Sequence, residues 1–112
     1  MKTNLTWQEF EKVEMRVGTI LAATEFPEAR NPSYILTIDF GDFGIKKSSA
    51  QITDLYSTQD LIGKQIIAVT NFPNKQIATI QSECLVLGAV GEKKEVTLLS
   101  TDKPVKNGLR IG

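Results

Sequence analysis

The spacing of apolar residues along the chain predicts a domain built mainly of β-strands. From Val13 to Ala22 apolar and polar positions alternate, which is typical of a half-buried strand, and Gly18 permits a bend or a bulge within it. This alternation puts five residues on one face, namely Val13, Met15, Val17, Thr19 and Leu21. The segment from Tyr34 to Phe40 alternates most regularly and predicts four residues facing the core, namely Tyr34, Leu36, Ile38 and Phe40.

Further along the chain, a polar strand is followed by apolar ones. Ile45 to Ile52 keeps the spacing of a strand but has almost no apolar residue in its middle, so one of its faces should contact water. Lys64 to Phe72 and Glu83 to Val90 are predicted as apolar strands, and Glu95 to Ser100 as a last strand before a polar tail. The proline-containing segment from Glu25 to Ser33 is predicted to be a loop.

Capping patterns predict two short helices. The sequence from Thr6 to Glu9 (TWQE) has the form of a capping box and indicates a short helix near the start of the chain. Ser57 as N-cap, Asp60 at the third helical position and Gly63 at the stop indicate another. The predicted order is therefore three strands, a short helix and two further strands, preceded and followed by short extensions.

This order of elements is that of the OB-fold. An OB-fold is a five-stranded, partly open Greek-key barrel, and its second and third strands commonly bind oligonucleotides. The sequence thus predicts an all-β OB-fold with a short helix between the third and fourth strands. Its 112 residues are the length of one domain, so residues 1–112 are predicted to form a single domain.

Composition excludes several classes of function. The chain has no histidine and one cysteine, so neither a thiolate metal cluster nor a histidine-based catalytic triad can be built, and no cofactor is expected. Cys84 lies in an apolar run and is predicted to be a small buried residue. The sequence has no signal-like or membrane-spanning segment, which predicts a cytoplasmic protein without membrane contact. Its 13 basic and 13 acidic side chains cancel, so a polyanion could be bound only through a few lysines gathered by the fold.

Five separated sequence blocks resemble a known family. They are KVEMRVGTI (Lys12 to Ile20), FPEARNPSYILTIDFG (Phe26 to Gly41), KKSSAQIT (Lys46 to Thr53), NFPNKQI (Asn71 to Ile77) and SECLVLGA (Ser82 to Ala89). In this order they resemble the small, free-standing tRNA-binding domain proteins of the CsaA type. These are related to the domains appended to some methionyl- and phenylalanyl-tRNA synthetases. The resemblance implies an OB-fold without catalysis, a homodimer that binds tRNA and, as an alternative function, a chaperone for unfolded proteins awaiting export.

Lysines and short polar side chains are the candidate RNA contacts, because proteins meet tRNA mainly through phosphates, riboses and unstacked bases. On the third strand Lys46 and Ser48 share one face, and Lys47, Ser49 and Gln51 share the other. The sequence does not decide between these two faces. At the rim after the fourth strand and the start of the fifth, the candidates are Asn71, Lys75, Gln76 and Ser82. A serine-led motif that corresponds to Ser82 is associated with tRNA contact in the related synthetase domains.

Charged and aromatic residues near these positions leave alternatives open. Arg16 could form a bidentate contact with phosphate or an internal ion pair with Glu14, Asp39 or Glu83. Glu83 is expected to orient Lys75 or Arg16, or to accept a hydrogen bond from a base. Phe72 and Tyr34 are predicted to lie in the core, which favours recognition of RNA by shape over base stacking.

Apolar residues near both ends of the chain have two interpretations. These residues are Trp7, Phe10, Val105, Leu109 and Ile111. They could form a symmetric homodimer interface, or they could bind unfolded peptides as in a chaperone. The homodimer is the preferred interpretation.

Overall fold

The computed structural model describes residues 3–112, which form nine strands and two α-helices. The helices are α1 (Trp7–Glu11) and α2 (Thr58–Leu61), and a 3-10 turn covers Gly41–Phe43. The strands, in chain order, are β1 (Met15–Glu25), β2 (Tyr34–Asp39), β3 (Ile45–Ala50), β4 (Gln65–Val69), β5 (Lys75–Ile77), β6 (Ile80–Ser82), β7 (Leu85–Val86), β8 (Gly88–Val90) and β9 (Val96–Leu98).

Five strands form an antiparallel sheet in the order β3-β2-β1-β4-β7 that curves into a nearly closed barrel. The long strand β1 pairs with both β2 and β4, and α2 lies between β3 and β4 in the chain. This arrangement confirms the predicted all-β OB-fold and the position of its helix.

Alternating side chains of β2 and the residue after it fill the centre of the barrel. Tyr34, Leu36, Ile38 and Phe40 are all buried, as their spacing predicts. Gly18 lies opposite them on β1, where a Cβ atom would stand only 2.6 Å from Ile38 Cγ2 and 2.7 Å from the Phe40 ring. The position therefore needs glycine because of close packing in the core.

The alternation predicted for β1 fails at its middle. The register between β1 and β2 shifts between Ile20 and Ala22, so a bulge turns the following side chains over. Ile20, on the face of Gly18, lies in the core, and after the bulge Ala23 packs against the core, whereas Leu21 is 45% exposed. The predicted alternation therefore holds as far as Ile20 and reverses afterwards, because a two-residue period cannot pass through a bulge.

Both predicted helices begin with the capping boxes read from the sequence. In α1 the Thr6 hydroxyl accepts from Glu9 N at 3.1 Å, and Glu9 Oε1 accepts from Thr6 N at 3.0 Å. In α2 Ser57 and Asp60 make the same reciprocal pair, at 3.2 and 3.1 Å.

The second half of the chain contains more strands than predicted, and these strands are shorter. The apolar run from Glu83 to Val90 forms two strands, of which β7 pairs with β4 in the barrel and β8 pairs with β9 in a separate hairpin. The connection between β4 and β7 contains a second hairpin made of β5 and β6. Pairs this short have too few alternating residues to be recognised as strands from sequence.

The C-terminal segment is held along β1 and is part of the folded unit. Val17 N donates to Leu109 O at 3.0 Å, Gly108 N donates to Val17 O at 2.8 Å and Ile111 N donates to Met15 O at 2.8 Å. The Arg110 guanidinium also donates to Glu11 O at 2.7 Å. These bonds place the end of the chain beside α1.

Candidate nucleic-acid interface

A groove of about 780 Å³ opens on one side of the barrel, between the loop after β1, the outer face of β3 and the β5–β6 hairpin. It contains four of the residues predicted to contact RNA, namely Ser49, Gln51, Lys75 and Ser82. Ser49 lies on β3, Gln51 directly follows the end of that strand, and Lys75 is the cross-strand partner of Ser82 in the hairpin. The fold thus brings together side chains that are up to 33 residues apart in sequence.

Burial decides which face of β3 is turned to solvent. Ser48 and Ala50 are buried inside the barrel, whereas Lys47 and Gln51 are exposed and Ser49 is half-buried. The outer set of Lys47, Ser49 and Gln51 is therefore the one available to a ligand. Lys46 belongs to the inner set by alternation and is half-buried.

The Ser48 side chain does not reach the surface on which RNA contact was predicted. It is 1% exposed, and its hydroxyl donates to Cys84 O at 2.9 Å. This hydroxyl therefore joins β3 to the segment before β7 inside the barrel.

On the outer side of the barrel, Glu83 and Ser82 are also hydrogen-bonded to the backbone of β3. Lys47 N donates to Glu83 Oε1 at 2.9 Å, and Glu83 N donates to Lys47 O at 2.8 Å. Ser49 N donates to Ser82 Oγ at 3.1 Å. The Glu83 carboxylate is thus bound to the backbone of β3, and it does not orient Lys75 or Arg16 as expected. The Ser82 hydroxyl makes no donated hydrogen bond within residues 3–112, so its hydrogen is available to a groove ligand.

Arg16 is engaged within the protein. Its guanidinium lies 2.8 Å from Glu14 Oε1, donates to Gly108 O at 2.8 Å and stacks 3.6 Å from the centroid of the Phe43 ring. Of the two alternatives left by the sequence, the geometry matches the internal pair with Glu14.

Asn71 also serves the fold. Its Oδ1 accepts from Glu14 N at 3.0 Å and its Nδ2 donates to Lys12 O at 2.6 Å. Both polar atoms of the Asn71 amide are therefore hydrogen-bonded to the residues before β1, and they join these residues to the segment that follows β4.

Gln76 lies on the hairpin face that points away from the groove. Lys75, Ile77 and Ser82 line the groove, and alternation along β5 puts Gln76 on the opposite side. There Gln76 donates to Ala78 O at 2.8 Å and accepts from its cross-strand partner Gln81.

The predicted RNA contacts did not include Arg30, Asn31 and Phe72, which line the groove. Phe72, predicted to lie in the core, is 56% exposed on the groove wall because β4 ends at Val69 and its alternation does not extend further. Arg30 and Asn31 lie on the opposite wall, in the loop between β1 and β2. The sequence signal for this wall was the loop itself. Its predicted nine residues, with two prolines, are more than a β-hairpin needs, and long loops often have a binding function. Tyr34, by contrast, is buried as predicted.

The charged side chains that line the groove within residues 3–112 are positive. Arg30 and Lys75 line it, and no carboxylate does so within residues 3–112. Burial raises the pKa of the Cys84 thiol at the groove floor to about 11, so this group stays neutral near pH 7. The groove therefore favours an anionic ligand.

A second, more apolar groove of about 370 Å³ continues from the first. It shares Ser49, Gln51 and Leu85 with it and extends to Val90 on β8, which is 70% exposed. The two grooves together follow the line where the edge strands β3 and β7 approach each other.

The five apolar residues assigned to a dimer interface lie at the two neighbouring ends of the chain. Trp7 on α1 is 79% exposed, Val105 and Leu109 are also exposed, and Phe10 and Ile111 are half-buried. The bond from Arg110 to Glu11 O brings α1 beside the C-terminal segment that carries Leu109 and Ile111. Four of these residues thus share one region, whereas Val105 lies beside Gln65 at the other end of the β1–β4 pairing, and none of the five lines the groove.

The described part of the chain shows neither a metal-binding cluster nor a membrane-spanning helix. Within residues 3–112, no group of three or more histidine, cysteine, aspartate or glutamate side chains is placed to hold a metal ion. No helix in this part of the chain is long and apolar enough to cross a membrane.

Comparison with protein families and solved structures gives a consistent result. Residues 15–110 match the family model described as a putative tRNA binding domain. The chain is similar to the crystal structure of the chaperone CsaA from Bacillus anthracis str. Ames, with 47% identity and a TM-score of 0.94 over 98% of this chain and 100% of that one. It is also similar to the CsaA chaperone protein from Picrophilus torridus, with 48% identity and a TM-score of 0.91 over 97% and 100%.

A much longer protein contains a related segment. The methionine–tRNA ligase of Thermococcus kodakarensis is 30% identical over 107 residues, which are 96% of this chain. The chain covers only 14% of the length of that ligase.

Proposed function

Because the chain belongs to the family of putative tRNA-binding domains, we propose that it binds structured RNA, and tRNA by preference, as a non-catalytic homodimer. The groove and its rim are the binding surface. Lys47, Ser49, Gln51, Lys75 and Ser82 supply contacts predicted from the sequence, and Arg30 and Phe72 add to them.

One observation carries this proposal: the groove combines two cations with hydroxyl and amide groups and has no carboxylate among its described residues. Cations bind phosphate, while serine and amide side chains pair with riboses and base edges. A neutral protein of this kind can contact only a few phosphates, since within residues 3–112 Arg30 and Lys75 are the basic residues that line the groove, and Lys46 and Lys47 lie on the adjoining strand β3.

The absence of catalysis is proposed on the chemistry of the groove. General acid–base catalysis needs a group that titrates near the working pH. The titratable groups that line the groove are a guanidinium, an ammonium and a thiol whose pKa is raised by burial. The two cationic groups can bind and orient an RNA, and the Cys84 thiol stays neutral near pH 7 because burial raises its pKa.

Dimerisation is proposed through the exposed apolar residues of α1 and the C-terminal segment. Exposed tryptophan and leucine side chains that lie together are typical of an interaction surface. A symmetric dimer would double the number of cations offered to one RNA, and two linked sites bind more tightly only if the RNA can reach both.

Binding of unfolded peptides is the second candidate function. The observation that favours it is the apolar second groove with its exposed Val90 and Leu85, since apolar clefts bind side chains of extended peptides. The charge of the larger groove favours RNA over an apolar peptide, so this candidate stands second.

The direct test is a titration of the purified protein with fluorescent bulk tRNA at two salt concentrations, against an unfolded apolar peptide. We expect preference for tRNA, with a salt dependence that corresponds to about three to five phosphate contacts. Binding of the peptide but not of tRNA would overturn the proposal and support the chaperone candidate. A salt dependence as steep as that of a strongly basic protein would place the site elsewhere.

A further inference from the structure

Phe72 is an exposed aromatic ring on a backbone that is held in place. Thr70 N donates to Glu14 O at 2.8 Å, and the Asn71 side chain bonds to Lys12 O and Glu14 N, so the two residues before Phe72 are fastened to the start of β1. Pro73 follows and restricts the backbone on the other side. The ring is therefore presented to the groove from a fixed position, although the core does not need it.

The groups that share the groove with this ring match the parts of a nucleotide. Arg30 and Lys75 can bind phosphate, and Ser49, Gln51 and Ser82 offer hydroxyl and amide groups to a ribose or a base edge. An exposed aromatic face beside such groups is what proteins use to stack an unpaired base. The volume of about 780 Å³ lies within the range of about 300 to 1000 Å³ typical of small-ligand sites.

Two other occupants fit this groove less well. A double helix keeps its bases stacked on each other, so it has no free base face to offer to Phe72. An apolar peptide would leave Arg30 and Lys75 without anionic partners, and within residues 3–112 no carboxylate lines the groove to neutralise them.

We propose that the groove binds a single unpaired nucleotide of the RNA, with its base stacked on Phe72 and its flanking phosphates bound by Arg30 and Lys75. This inference rests on the proposed function and specifies how that function is performed. It replaces recognition by shape alone, which the predicted burial of Phe72 favoured, with capture of a base from a loop or an unpaired end of the RNA.

The test uses Phe72→Ala, Phe72→Leu and Phe72→Tyr, each titrated with fluorescent tRNA and with single-stranded hexaadenylate RNA. Loss of the ring is expected to weaken binding by roughly 5- to 100-fold, as found for base stacking on aromatic side chains. Phe72→Leu should weaken binding nearly as much as Phe72→Ala, because leucine keeps apolar area but has no aromatic face. Phe72→Tyr should bind like the wild type. The matched control is Leu55→Ala, which removes a similarly exposed apolar side chain that lines no groove.

A fluorescence measurement reports stacking directly. Trp7 is the only natural tryptophan, so the wild-type protein serves as the blank for a Phe72→Trp variant. Hexaadenylate should quench the added tryptophan, whereas an RNA duplex should neither quench it nor displace the single strand.

The outcomes separate this inference from the proposed function. If the wild type binds tRNA and the leucine and alanine variants bind equally well, stacking on Phe72 is overturned while RNA binding stands. If the wild type binds neither RNA, the proposed function itself fails. If Phe72→Leu binds as the wild type does and an apolar peptide displaces hexaadenylate, the groove is a peptide site and the inference is overturned.

Discussion

Glu83 and Lys47 are joined by two hydrogen bonds that close the barrel where regular strand pairing is absent. The Glu83 carboxylate accepts from Lys47 N at 2.9 Å, and Glu83 N donates to Lys47 O at 2.8 Å. The carboxylate thus stands in for a backbone carbonyl between β3 and the residues before β7. The same two bonds hold the outer face of β3 against the hairpin and so fix the floor of the groove.

Replacing the Glu83 carboxylate should weaken the barrel and the site together. Glu83→Ala leaves Lys47 N without its acceptor and should lower the free energy of unfolding by about 1.5–3 kcal/mol, the usual range for a hydrogen bond to a charged group. Glu83→Gln keeps an oxygen acceptor and should lose less. Urea unfolding followed by circular dichroism measures both, and equal stability of Glu83→Ala and the wild type would contradict this role.

Arg16 is predicted to stabilise the fold without contacting RNA. Arg16→Ala removes the pair with Glu14, the bond to Gly108 O and the contact with Phe43, and should cost about 2 kcal/mol of stability. The affinity of the folded variant for tRNA, measured well below its melting temperature, should equal that of the wild type. A loss of affinity in the fully folded variant would contradict this prediction and indicate that Arg16 contacts the RNA.

Lys75 is predicted to contribute to RNA binding and not to stability. It is exposed and makes no ion pair within residues 3–112, so Lys75→Ala should leave the thermal midpoint unchanged. Affinity for tRNA should fall several-fold, and the salt slope should decrease by about 0.9 for the lost phosphate contact. Lys64→Ala is the control, since Lys64 is an exposed lysine that lines neither groove. If both variants bind alike, the charge at Lys75 has no specific role.

The proposed dimer predicts a change of mass on substitution of Trp7. Sedimentation equilibrium of the wild type should give twice the 12.4 kDa mass of one chain. Trp7→Glu puts a charge into the proposed apolar interface and should shift the equilibrium to the monomer by tenfold or more, because a buried unpaired charge is costly. Leu55→Glu, at an exposed apolar position in another part of the fold, should remain dimeric. A wild type that stays monomeric at high concentration would rule the interface out.

The capping box of α2 should make stability depend on pH in the acid range. Hydrogen bonds from the backbone and then the side chain of Ser57 hold the pKa of the Asp60 carboxyl below its ordinary value. A group whose pKa is lowered by folding stabilises the protein above its unfolded pKa of about 4, and this contribution is lost as pH falls through the folded pKa. Asp60→Ala should therefore lower the melting temperature at pH 7, and the difference from the wild type should shrink below about pH 4. Asp102→Ala, which removes an exposed carboxylate outside any helix, is the control.

The sequence by itself determined the elements whose signals are local. The regular alternation from Tyr34 to Phe40 was sufficient to place β2 and its core face, because a strand exposes every second residue to the same side. The capping boxes at Thr6 and Ser57 were equally reliable, since each depends on side chains three residues apart. From these elements and their order the OB-fold could be predicted.

Only the tertiary structure decided which polar residues belong to the groove. Ser48 and Ser49 are neighbours in sequence, yet one bonds to Cys84 O inside the barrel and the other lines the groove, and the direction of a strand's two faces is set by packing. The Asn71 amide is hydrogen-bonded to two residues that lie 57 and 59 positions earlier in the sequence, and no local pattern predicts such contacts. Phe72 is exposed because β4 stops early and Pro73 turns the chain, so an apolar residue that composition would assign to the core stands free to meet a ligand.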